Sequence, residues 1–265
     1  MPRANPTLNA LVKLGIAVAV GGLALLLKLL LDRPRDHELC IRGKESGQTI
    51  VLIDKTDAWN ANQSERLESH IYNLLDKRMK QEERFRVFSF GAAFEPGFKE
   101  NFSRCKPPNG DDCWGLFCNQ KQLRKQYDSD FREPLQTELK KLKVASQGAC
   151  SPIAEVMHDV LSRREIKDQP GPTRIVFISD MAQNTAVYSA FRSQSPSCPG
   201  ASVKASPDKD QGLKQFFEKR RRELNLTDAS VLVFQVTPER RSPDVGETAM
   251  SKWKEVFQML GIMDH

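Results

Sequence analysis

The sequence predicts an α/β fold: a doubly wound, mostly parallel sheet flanked by helices, with one N-terminal transmembrane helix ahead of it. Three observations predict it. Ile50-Val51-Leu52-Ile53 and Ile175-Val176-Phe177-Ile178 are continuous apolar runs of strand length, suited to burial on both faces of a parallel sheet. Amphipathic helical stretches separate the strands, as strand-helix-strand crossovers require. Each run also stops on a carboxylate, Asp54 for the first and, after Ser179, Asp180 for the second. Open α/β sheets bind ligands at the carboxyl ends of their strands.

Taken in chain order, residues 1–10 form a short tail and residues 11–31 are apolar except for Lys13 and Lys28. That length matches the ~20 residues that cross a bilayer as a helix, and lysines near the ends can reach the interface. The run ends in Leu29-Leu30-Leu31-Asp32-Arg33-Pro34-Arg35 with no small-residue cleavage site, so a retained single-pass anchor is expected rather than a cleaved signal peptide. Residues 32–48 read as a polar linker, and 49–265 as one domain large enough for a full core.

Within that domain, 49–54 is the first strand. A helix over 63–79 follows, with Leu67, Ile71, Leu74 and Leu75 on one face. Residues 84–90 alternate as a strand. Residues 92–120 are rich in Gly, Pro, Asn, Asp and Cys, and read as a long irregular insertion, of which the cysteine-rich part Phe102–Cys118 is a candidate for partner recognition. Phe131, Leu135, Leu139 and Leu142 give helix over 121–142, with Pro134 opening a new segment. Ser151-Pro152 opens the next helix, whose apolar stripe is Ile153, Val156, Met157, Val160 and Leu161. A turn at 169–173 leads to the strand at 174–179, and 194–210 is a second loop. Helix over 211–224, strand over 230–236 and a closing helix over 246–260 complete the alternation.

The net charge is +6, and the excess is local: Lys219-Arg220-Arg221-Arg222 and Arg240-Arg241. Few aromatics accompany these runs, so they read as solvated helix faces and nucleic acid is not an expected partner. Six cysteines, Cys40, Cys105, Cys113, Cys118, Cys150 and Cys198, lack C-x-x-C spacing and nearby histidines. They predict disulfides in an oxidising compartment rather than zinc, with the pairing left open. Orientation is contested. Arg3 and Lys13 precede the span, whereas Lys28, Arg33, Arg35, Arg42 and Lys44 belong to its far end and the linker beyond, which by the positive-inside rule keeps the domain cytoplasmic. The cysteines point outside, to a periplasm-like compartment. The expectation leans to export, with the cytoplasmic alternative open.

Two carboxylates and two hydroxyls from separated segments make a candidate site for a hard divalent cation. Asp54 and Thr56 stand at the tip of the first strand, Asp180 at the end of another, and Ser151 at the head of a helix. Asp57 could add a further oxygen. Mg²⁺ takes oxygen ligands and keeps several waters, so this set suits it; Mn²⁺ and Ca²⁺ meet the same description. The competing reading gives Ser151 to helix capping, with Pro152 in the first turn, and Asp54 and Asp180 to helix caps.

These motifs carry a resemblance. Asp54-Lys55-Thr56-Asp57-Ala58, then Cys150-Ser151-Pro152-Ile153-Ala154-Glu155, then Phe177-Ile178-Ser179-Asp180 resemble, in order, the metal-ion-dependent adhesion motifs of von Willebrand factor A-type domains. The resemblance implies metal binding by Asp54, Thr56, Ser151 and Asp180, with a partner's carboxylate completing the coordination within a bacterial-type envelope assembly. It departs at Ala58, where the family's D-x-S-x-S loop has its last hydroxyl, so the site is degenerate. No nucleophile elbow or phosphate-binding loop is present and no histidine stands beside a nucleophile, so an enzyme is not expected. The alternative from another class is a metal-dependent phosphoryl or ester hydrolase on a related sheet.

Overall fold

The computed structural model describes residues 15–16, 18–23, 34–57, 59–111, 118–142, 148, 150–191, 211–236 and 243–264. Six strands form one sheet: β1 (Gln48–Asp54), β2 (Arg84–Phe90), β3 (Phe102–Cys105), β4 (Thr173–Ser179), β5 (Ala229–Gln235) and β6 (Met263–Asp264). Their order is β3-β2-β1-β4-β5-β6. All neighbours pair in parallel except β3, which runs antiparallel to β2. The mixed α/β sheet predicted from the sequence is therefore present. The chain winds outward from β1 to β3, then returns to the other side of β1 to lay down β4. The switch point between the two halves lies between β1 and β4.

Besides the helical residues 15–16 and 18–23, seven α-helices occur among the described residues: α1 (Ala61–Lys77), α2 (Gln120–Tyr127), α3 (Glu133–Leu142), α4 (Ile153–Ser162), the single turn α5 (Arg164–Lys167), α6 (Gly212–Arg220) and α7 (Pro243–Leu260). Successive strand residues point to opposite faces, so both faces of the central strands are apolar. Ile50, Leu52, Ile175 and Phe177 pack against α4, α6 and α7, with Trp253 and Phe257 at the centre. Val51, Ile53, Val176 and Ile178 pack against α1, α2 and α3 through Leu67, Ile71, Tyr127 and Leu135. Each fully buried aliphatic there contributes about 1.5–3 kcal/mol through its removal from water.

Three details differ from the expectations. The insertion over 92–120 is not wholly irregular: Phe102–Cys105 is an edge strand. Its four residues are too few to show a period. The helix expected over 121–142 is not one continuous α-helix: a π-helical turn at Asp128–Arg132 joins α2 to α3, and Pro134 sits in the first turn of α3, the new segment expected there. Residues 34–47, expected as a linker, are fastened to the domain. Arg35 pairs with Glu82 at 2.5 Å, Glu38 pairs with Arg84, and Cys40 is disulfide-bonded to Cys105. Gly47, at φ +138°, lies where a Cβ would stand 2.7 Å from the Pro172 carbonyl, so only glycine lets this segment pass the turn before β4.

The predicted span 11–31 falls largely outside the described residues. Residues 15–16 and 18–23 within it are helical and expose Ile16, Val18, Val20 and Leu23. Among the described residues no helix is long and apolar enough to cross a membrane. Cys113, Cys198 and Ala58 also lie outside the described residues.

Candidate functional site

The carboxyl ends of β1 and β4 bring the predicted residues together at the switch point. Asp54 is the last residue of β1 and is 5% exposed. Its Oδ1 accepts hydrogen bonds from the Thr56 amide (2.9 Å) and the Thr56 hydroxyl (2.7 Å). Its Oδ2 accepts from the hydroxyls of Ser151 (3.1 Å) and Ser179 (2.9 Å). Segments separated by 97 and 125 residues thus meet on one carboxylate. Burial pushes the Asp54 carboxyl above the usual carboxylate range, because ionising it in this place forfeits hydration; the bonds from Thr56, Ser179 and Ser151 pull it partly back.

Asp180 directly follows β4 and is equally buried; its Oδ1 accepts the Ala182 amide at 2.9 Å. Asp54, Asp57 and Asp180 line one crevice, with Ser179, Trp59, Gln63 and Val236 around them. The space is small, about 10 Å³ for the centre of a water-sized species, which is the room one water or one bare cation needs. Thr56 and Ser151 bond directly to the Asp54 carboxylate that lines this space. Among the described residues no three His, Cys, Asp or Glu side chains close on one point. Any cation held here would therefore depend on hydroxyls and water as well as carboxylates.

Ser151 does not cap the helix it precedes. The N-cap of α4 is Pro152, which makes no side-chain cap bond. The role passes to Gln183, whose Oε1 accepts the Ala154 amide at 2.8 Å. Ser151 is held instead by backbone bonds to Asn184 in both directions (3.2 and 3.0 Å), which aim its hydroxyl at Asp54.

Sequence reasoning missed three supporting residues. Ser179 is one; its position two residues ahead of Met181 lets its hydroxyl also accept the Met181 amide at 2.9 Å. Gln183 is the second, binding Glu155 Oε2 at 2.8 Å beside Thr185, which binds Glu155 Oε1 at 2.6 Å. Trp253 is the third. Its indole donates to the Met181 carbonyl at 2.9 Å and so fixes a residue at φ +61°, a left-handed conformation unusual for a side-chain-bearing residue, immediately after Asp180. The Ser179 hydroxyl was visible as a residue type next to Asp180; the other two contacts depend on tertiary packing and left no local signal.

No family model matches this chain, and no curated protein matches it. Among solved structures 24 chains match. One is an aerotolerance-related membrane protein from Bacteroides fragilis carrying multiple mutations to serines, at 11% identity and a TM-score of 0.33, covering 81% of this chain and 100% of that chain. Likeness of that degree says nothing about function.

Proposed function

We propose that this chain is a membrane-anchored interaction module of von Willebrand factor A type, whose crevice between β1 and β4 takes up a divalent cation and, through it, a carboxylate of a partner protein. One observation carries the reading: Thr56, Ser151 and Ser179, from three separated segments, converge on Asp54 where Asp57 and Asp180 line the same crevice. That crevice lies at the topological switch point, where doubly wound sheets bind ligands.

The donor set fits a hard cation. Apart from Trp59 and Val236, every lining side chain carries an oxygen that can ligate, and oxygen is what Mg²⁺ and Ca²⁺ prefer. A hydroxyl that gives its proton to Asp54 keeps its lone pairs, so Thr56 and Ser151 can serve the carboxylate and a cation together. Asp54, Thr56, Ser151 and Asp180 would hold the ion, with Asp57 directly or through water. The cation would supply a positive centre for a partner's carboxylate. Binding rather than turnover is favoured because both oxygens of Asp54 already accept hydrogen bonds, which hold the group still instead of presenting it as a nucleophile.

An exported domain is part of the proposal. Cys40, Cys105, Cys118 and Cys150 are all disulfide-bonded, a state that persists in an oxidising compartment. Residues 11–31 would tether it in an envelope assembly, and the exposed Ile16, Val18, Val20 and Leu23 support that placement.

Calorimetric titration of the full chain in detergent with Mg²⁺, Mn²⁺ and Ca²⁺ tests the site. Saturable heat is expected for at least one ion and is lost in Asp54→Asn and Asp180→Asn. Absence of heat with all three ions removes the metal reading. Release of phosphate from a generic ester, abolished by Asp54→Asn, would replace it with the hydrolase.

A further inference from the structure

The edge of the sheet opposite the crevice is a cationic surface, and its position in the chain says what it faces. α1, the α4–α5 pair and α6 each lead into a parallel strand, β2, β4 and β5 respectively. Their carboxyl ends therefore gather at the amino-terminal edge of the sheet. Lys77, Arg78 and Lys80 stand there from the end of α1, and Lys219, Arg221 and Arg222 from the end of α6. All six are exposed, and none forms an ion pair among the described residues.

The acids of the same edge are largely consumed. Glu82 is paired with Arg35, Glu83 with Arg174 and Glu38 with Arg84. Glu223 is paired with His158, and Asp36, Glu45, Asp76, Glu165, Glu218 and Asp228 remain, fewer than the free cations once Lys44 and Lys167 are added. The run Lys219–Arg222, which reads in sequence as a solvated helix face, is thus one part of a larger basic surface built from three helix ends.

The chain enters the domain at this edge. Residues 34–47 are pinned to it by the Arg35–Glu82 and Glu38–Arg84 pairs and by the bond from the Ser46 amide to the Glu82 carbonyl at 3.2 Å. The apolar segment that exposes Ile16, Val18, Val20 and Leu23 lies just ahead of Pro34 in sequence. On the anchored reading, this basic edge is the part of the domain that the chain reaches first after the membrane segment, and the acidic crevice lies at the opposite edge.

From this placement we infer that the amino-terminal sheet edge docks on anionic lipid headgroups, fixing the crevice away from the membrane and towards a partner. The inference rests on the anchored reading above. Cations near an anionic leaflet gain attraction that vanishes beyond a Debye length, so the pinning of 34–47 matters: these residues add no free length to the tether.

The test uses the full chain in nanodiscs of phosphatidylcholine alone, or with about a third phosphatidylglycerol, and reads lysine acetylation residue by residue. Lys77, Lys80 and Lys219 are expected to label several-fold more slowly on the anionic discs. Lys214, exposed in the first turn of α6 at the other end of that helix, and Lys99 serve as controls and are expected to label equally on both. The protection should disappear at about 0.5 M salt, and in the triple variant Lys219→Gln, Arg221→Gln, Arg222→Gln it should weaken at Lys77 and Lys80. Equal labelling on the two lipids, with the chain retained by the discs, overturns the docking and leaves the anchor standing. A chain that does not co-fractionate with either disc overturns the anchor and the docking together. Protection by an added oligonucleotide but not by anionic lipid also overturns the proposal and identifies a polyanion site of another class.

Discussion

Asp54 shows what a buried carboxylate needs. Four hydrogen bonds, three of them from side-chain hydroxyls, replace the water it has lost. Its place could be read from the sequence, because an apolar run that stops on Asp marks a strand end. Ser151 could be read only as a choice between cap and ligand. The choice fell to Asp54 because the Asn184 backbone and the Gln183 side chain, neither adjacent in sequence, took over the helix start. Two expectations follow at this scale. Trp253→Phe keeps the ring in the core but leaves the Met181 carbonyl without its donor, which should cost about 1–3 kcal/mol in denaturant unfolding and weaken cation binding through Asp180; unchanged affinity would show that Asp180 is held by other means. Glu155 is the second. Burial raises its carboxyl above the usual range, against the bonds from Thr185 and Gln183. The folded state then holds a proton that the unfolded state releases, so this group's contribution to stability falls as pH rises through the unfolded and then the folded range. Melting curves from about pH 7 down to about pH 4 should show the wild type gaining on Glu155→Gln as the pH falls; parallel profiles would refute it.

Elements were legible in proportion to their length and burial. β1, β2, β4 and β5 each run for seven residues, mostly apolar and flanked by polar turns, and they stand where the sequence reading placed strands. β3 has four residues, with Phe102 and Cys105 buried at its ends and Ser103 and Arg104 half-buried between them, a pattern that coil also produces. The π-turn between α2 and α3 had no distinctive composition, since its register is set by Phe131 packing on Phe85 and Phe102 across the sheet face. The fastening of residues 34–47 was hidden for a similar reason: the sequence showed six cysteines but not which pairs would meet. The Cys40–Cys105 bond joins residues 65 apart and ties this segment to the edge strand β3. Closing a loop of that size removes unfolded-state entropy worth up to about 4 kcal/mol. The double change Cys40→Ser, Cys105→Ser should therefore lower stability by about 2–4 kcal/mol and raise amide exchange first over 102–105 and 34–47. A uniform loss of protection across the sheet would instead mean that the bond stabilises the domain without acting through this edge.

For the whole molecule, the site is a consequence of topology. Asp54 belongs to the first strand laid down, Ser151 precedes a helix that follows the whole β2–β3 excursion, and Asp180 closes the strand that returns to the other side of β1. No short fragment contains all three, so only the complete sheet can assemble them. A cation that binds there binds the folded state alone, and mass action then requires that it stabilise the entire domain rather than one loop. At ten times its dissociation constant the gain is about 1.4 kcal/mol, which for a domain of this size raises the melting temperature by roughly 3–5 °C. The urea midpoint should move by the corresponding amount with no change in slope, because the surface exposed on unfolding stays the same. Ser151→Ala should reduce the cation-dependent part of that shift while leaving the strand order intact, since the hydroxyl contributes to the site and not to the sheet. A midpoint that rises equally with Mg²⁺ and with matched monovalent salt, in the wild type and in Ser151→Ala alike, would mean that the ions act by screening and that the three segments meet for structure alone.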